Sequence, residues 1–75
     1  MSMFYTKLGA KLRRMREASG RSQEAMGDRM GVSFQMVQKY ESGRCRIPLD
    51  RFLIWCTVCE RKPVVVIHEV ETGQW

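Results

Sequence analysis

The sequence is poor in the residues that usually carry catalysis. It holds one histidine, His68, and three cysteines among 75 residues. A catalytic dyad needs a nucleophile and a pocket around it, and a chain this short has little with which to build one. His68 beside Glu69 therefore reads as structural or exposed, and no enzyme is expected. Three thiols, an odd number, fit reduced cysteines in the cytosol better than a disulfide framework. Cys56 and Cys59 form a C-x-x-C, and Cys45 with His68 could complete four zinc ligands on paper. The pair lies inside an apolar helical pattern, without the turn that normally presents such ligands. Buried thiols are expected, and neither metal nor cofactor. No apolar run approaches the ~20 residues of a membrane span. Lys7 follows the apolar Met3-Phe4-Tyr5 instead of preceding it, unlike a signal peptide. A cytoplasmic protein with no membrane partner is expected.

Acidic charge is also scarce. Thirteen Lys and Arg oppose eight Asp and Glu, a net charge of +5. The excess is uneven: residues 1–51 carry eleven basic and five acidic side chains, residues 52–75 two and three. A basic face favours a polyanionic partner.

The rest of the chain is organised around Gln23 to Tyr40, QEAMGDRMGVSFQMVQKY. Met26, Met30, Val32, Val37 and Tyr40 recur at helical spacing on either side of Gly31. Gly31 can take the positive φ that ends a helix, and Gly27 lets the next helix approach. Two short helices crossing steeply outline a helix-turn-helix, whose second helix enters the DNA major groove.

An earlier helix is expected from about Phe4 to Gly20. Its apolar stripe is Leu8, Leu12 and Met15, with Lys7, Lys11, Arg13, Arg14 and Glu17 off it. Ser22 and Ser33 suit the caps of the next two helices. Pro48 suits the first turn of a fourth, reaching about Cys59. That fourth helix is apolar nearly all round, and such a helix must be covered all round. Leu49, Phe52, Cys56 and Cys59 are assigned to the core. Leu53, Ile54, Val58 and Trp55 are assigned to a second copy; the alternative is that the tail folds back over them. Pro63 then breaks the helix, and Val64-Val65-Val66-Ile67 reads as a strand. A single strand needs a partner. The same strand of a second subunit is the economical one, which places Val64 and Val66 at the dimer interface. The expected fold is thus mostly α: a compact four-helix domain over residues 1–62, then a C-terminal β-strand or tail over 63–75 that pairs across a dimer.

The stretches LGAKLRRMRE (Leu8–Glu17), SQEAMGDRMGVS (Ser22–Ser33) and VQKYESG (Val37–Gly43) resemble the Cro/CI, or XRE-type, helix-turn-helix regulators typified by lambdoid phage repressors. The resemblance covers roughly Leu8 to Cys59. Gly27 departs from it, since the family usually carries Ala there, and costs that helix about 1 kcal/mol. The expected strand departs too, because the family usually has a fifth helix there. The resemblance implies base reading by Ser33, Phe34, Gln35 and Lys39, with Gln38 nearby. Gln35 could pair with adenine and Lys39 with guanine or a phosphate. Phe34 could touch a thymine methyl, or instead be a core residue or staple between helices. Gln23 would touch a phosphate and brace the reading helix. Arg44 and Arg46 are further phosphate candidates. The resemblance also implies a structural ion pair between Arg16 and Glu41. The partners implied are double-stranded DNA with a palindromic operator and a second copy of the chain. A Cro-type repressor fits this pattern. The alternatives are a controller protein of a restriction–modification operon, or an antitoxin whose apolar tail covers a protein partner.

Overall fold

The stripe Leu8, Leu12 and Met15 is buried along a first helix, α1, Met3–Ala18. In this computed structural model, which describes residues 3–74, four more helices follow: α2 Gln23–Met30, α3 Phe34–Ser42, α4 Leu49–Val58 and α5 Pro63–Thr72. Met1, Ser2 and Trp75, at the ends of the two expected segments, lie outside the described residues. α1 packs on α3 and α5, α2 on α3 and α4, and α4 on α5. Leu12, Met26, Val37, Trp55, Cys56 and Val66 are fully buried where these helices meet. At the centre, the Trp55 indole N–H donates to the Leu12 carbonyl at 3.2 Å. The largest core side chain thus satisfies its one donor without water. α1 and α3 come very close at Gly9, where a Cβ would lie 2.6 Å from the carbonyl oxygens of both Tyr40 and Glu41. Only a residue without a side chain lets these two backbones touch.

The expected C-terminal strand is a helix, and no strand is present among the described residues. The domain therefore has five helices, not four. The β-branched run Val64 to Ile67 follows its packing partners, not its local preference. Val66 and Val70, four residues apart, are both buried, and this is helical spacing. Pro63 opens the helix in its first turn, where its missing N–H costs nothing, and Gly73 closes it at φ 74°. The Lys62 carbonyl accepts from the amides of Val65 and Val66, both at 3.1 Å.

The helical tail changes the expected dimer face. Trp55, Val58 and Val66 lie in the core of the single chain, so the tail does fold back over part of α4. Leu49, expected inside, is 71% exposed. It is the first residue of α4, three before Phe52, and stands at the open end of the inward face that Phe52, Trp55 and Cys56 continue. Leu53, Ile54 and Val64 remain exposed, joined by Val65. Lys11, expected on the open side of α1, is buried because α5 covers it. Its Nζ meets Glu69 Oε1 at 2.6 Å, and Arg61 reaches the same oxygen at 2.6 Å. No helix among the described residues is long and apolar enough to cross a membrane.

Candidate nucleic-acid interface

The turn between α2 and α3 is built as the glycine spacing implies. The Ser22 hydroxyl accepts from the Ala25 amide at 3.1 Å and starts α2. Gly31 takes φ 71° at its end, with its N–H on the Gly27 carbonyl. A Cβ on Gly27 would stand 2.7 Å from the Val32 carbonyl oxygen, so this glycine sits against the turn itself. Arg51 of α4 donates to the Met30 carbonyl and closes the end of α2 from outside the motif. The Ser33 hydroxyl then accepts from the Met36 amide at 3.2 Å and starts α3.

α3 is amphipathic in the ordinary way: Val37, Tyr40 and Glu41 face inward, while Gln35, Gln38 and Lys39 are exposed. Gln35, Gln38, Lys39 and Arg44 line one shallow concavity, together with Ser42. Four side chains expected to meet DNA therefore share one surface. The others stand differently. Ser33 is exposed, but its hydroxyl is already engaged as the helix cap. Phe34 is 39% exposed at the start of α3, which sets aside its reading as a core residue. Arg46 lies with its guanidinium carbon 5.3 Å from the centre of the Tyr5 ring, so a cation–π contact holds it toward α1.

Behind the surface is a buried polar anchor. Arg16 Nε donates to Glu41 Oε2 at 2.6 Å and Nη2 to Oε1 at 3.2 Å. The two side chains are 9% and 4% exposed. A third donation, from Arg16 Nη1 to the Arg21 carbonyl at 2.8 Å, ties in the start of the next loop. The bond to Glu41 is the main reason the Arg16 pKa lies above its ordinary value; burial opposes it. The pair sits where the resemblance put it. Gln23 joins it, donating from Nε2 to Glu41 Oε1 at 3.1 Å and accepting at Oε1 from Gln38 Nε2 at 3.2 Å. Gln23 thus braces α3 through both ends of its amide.

Sequence reasoning missed Ser42, Arg51 and the Gln23–Gln38 contact. Ser42 follows Gln35 and Lys39 at seven and three residues, so helical spacing could have found it. Arg51 and the glutamine pair join residues distant in sequence, and no local pattern signals them. The paper zinc site does not assemble: no three His, Cys, Asp or Glu side chains converge on one point among the described residues. Cys56 is fully buried and its thiol is pushed up to about 11 by desolvation. Cys59 is half-buried, and desolvation raises its thiol as well. His68 is exposed, and its neighbour Glu69 is committed to Lys11 and Arg61.

The family model described as the helix-turn-helix domain matches residues 7–68. An uncharacterized HTH-type transcriptional regulator of Sinorhizobium medicae is 41% identical over 44 residues, 59% of this chain and 32% of that protein. An uncharacterized transcriptional regulator in the ATPase CF(0) region of Rhodospirillum rubrum is 48% identical over 44 residues, 59% of this chain and 41% of that protein. The chain thus spans between 32% and 41% of the length of these two curated relatives. The restriction-modification controller protein C.AhdI from Aeromonas hydrophila is 29% identical, with a TM-score of 0.76 over 83% of this chain and 94% of that one. The clp gene regulator ClgR from C. glutamicum shares the fold, with a TM-score of 0.86 over 99% of this chain and 95% of that one at 20% identity.

Proposed function

The chain belongs to the helix-turn-helix domain family, and on that premise we propose that it is a Cro-type repressor binding a palindromic operator as a homodimer. The observation that carries this reading is the outer face of α3. Gln35, Gln38, Lys39 and Arg44 share one surface there, and a buried ion pair fixes their helix from behind. Each subunit lays α3 in the major groove of one half-site. Gln35 pairs with adenine, Lys39 with guanine or a phosphate, and Phe34 touches a thymine methyl. Gln23, Arg44 and Arg46 take phosphates, so binding weakens steeply with salt.

Dimerisation is supported by the apolar side chains that the single chain leaves open. On α4 and α5 these include Leu49, Leu53, Ile54, Val64 and Val65. Exposed groups of this size and number are surface that a second copy would cover. Two-fold symmetry then sets the half-sites about one DNA turn, ~34 Å, apart. A dimer over a promoter keeps polymerase off it, and repression follows from occupancy.

A second reading, a controller protein that both activates and represses, is favoured by the likeness to C.AhdI over nearly that whole protein. Transcription from the bound promoter separates the two. A repressor lowers output at every concentration, whereas a controller raises it first and lowers it later.

Selection of bound duplexes from a random pool tests the reading itself. A palindrome with two short half-sites is expected. Gln35→Ala should relax preference at one base pair per half-site, and Arg44→Ala should weaken all duplexes alike and reduce the salt slope by about one. Leu53→Glu should yield a folded monomer. A pool that returns no enriched sequence would defeat the proposal.

A further inference from the structure

The side chains of Gln23 and Gln38 meet beside α3, and their hydrogen bonds run in one direction only. The Glu41 carboxylate can accept and cannot donate. It already accepts from Arg16 at both oxygens. Gln23 must therefore turn its amide nitrogen toward Glu41 Oε1, at 3.1 Å. Its carbonyl oxygen is left to face Gln38, whose amide nitrogen donates to it at 3.2 Å. Turning Gln38 over would set its oxygen against the oxygen of Gln23. Gln23 cannot turn to relieve that clash, because its own oxygen would then face the carboxylate.

An unanchored glutamine can offer either end of its amide to a base edge. Here the choice is made before DNA arrives. We propose that this relay makes Gln38 a specificity-determining residue of fixed polarity, whose carbonyl oxygen accepts from the exocyclic amino group of adenine or cytosine. The inference rests on the DNA-binding reading above and sharpens it. In the major groove, adenine N6 and cytosine N4 are donors, whereas guanine O6 and thymine O4 are acceptors. Gln38 keeps its oxygen and one amide proton, the two groups that match adenine N6 and N7. Against guanine O6 or thymine O4, oxygen would face oxygen. The ion pair between α1 and α3 thus reaches the base edge through two amides, and Gln23 acts as a positioning residue for it.

The test repeats the duplex selection with the wild-type chain, Gln38→Met and Gln23→Met. Methionine keeps the length and helix propensity of glutamine and removes the amide. Gln38→Met locates the base pair that Gln38 meets. The wild type should favour adenine or cytosine there by about tenfold, within the range of one good side-chain–base contact. Gln23→Met should admit guanine and thymine at that same base pair and leave preferences elsewhere unchanged. The double variant should be no more relaxed at that pair than Gln38→Met alone. An unchanged base preference in Gln23→Met, with no more than a uniform weakening, would overturn the relay and leave Gln23 a phosphate ligand alone. So would a Gln38→Met selection identical to the wild type. Either result leaves the regulator reading standing, whereas failure of the wild type to enrich any duplex defeats both. If Gln23→Met does not fold, side-chain amide exchange in the free wild-type chain decides: the Gln23 amide protons should exchange more slowly than those of Gln35, and equal rates would overturn the relay.

Discussion

Removing the carboxylate of Glu41 is the severest single test of how the reading helix is held. Glu41→Leu leaves Arg16 charged inside the protein, since only 9% of that side chain is exposed. Breaking one partner of a buried pair costs roughly 3–5 kcal/mol. Arg16 keeps its bond to the Arg21 carbonyl at 2.8 Å, which places the cost at the lower end, about 3 kcal/mol. At typical per-residue values, a chain of 75 residues has a total stability of roughly 4–11 kcal/mol. The variant should therefore keep only part of its stability. Urea unfolding followed by circular dichroism would show this as a midpoint lower by about 3 M, for a slope near 1 kcal/mol/M. The double variant Arg16→Met/Glu41→Leu removes both charges and should recover much of the loss. A single-variant cost under about 1 kcal/mol, or a double variant equal to the sum of the singles, would refute the buried, coupled pair.

Other perturbations probe separate parts of the fold. Gly9→Ala gains about 1 kcal/mol of helix propensity, yet should destabilise the chain, because the added carbon meets two carbonyl oxygens of α3 at 2.6 Å; a raised melting temperature would contradict that close approach. Lys11 and Arg61 hold the Glu69 carboxyl below its ordinary pKa of 4.5. Their stabilisation is therefore full above that value and is lost as pH falls through the lower folded one. Melting temperature measured from pH 6 downward should show this acid limb, and Glu69→Gln should flatten it. The Cys56 thiol, near 11 when folded against an ordinary 9.0, stabilises the fold below pH 9, and this contribution fades as pH rises from 9 through 11. Alkylation of the native chain at pH 8 should modify Cys45 first and Cys56 only after unfolding; equal rates would place Cys56 at the surface.

The helix-turn-helix was legible because its signals are local. Ser22 and Ser33 cap their helices, Gly31 turns the chain, and Met26, Met30 and Val37 mark the buried sides. The Arg16–Glu41 pair, far apart in sequence, came only through resemblance to a family. The tail was misread because four consecutive β-branched residues outweighed two quieter signs. Pro63 just inside a start and Gly73 just past an end are helix punctuation. That error spread. With the tail read as a strand, nothing covers Lys11, and Trp55, Val58 and Val66 go to a partner that the chain does not need for them. On the reading face, residue identities were legible while their bonds were not. Ser33 is occupied as a cap, Arg46 rests on Tyr5, and Gln38 is tied to Gln23.

The central claim, that α3 and the loop after it form the DNA-contacting surface, is tested most directly by titrating the selected duplex into isotope-labelled protein and following backbone amide resonances. The expected result is that the largest shifts fall on residues 33–46, with the first turn of α2 following and residues 66–72 of α5 undisturbed. Shifts concentrated on α5 with α3 silent would contradict it.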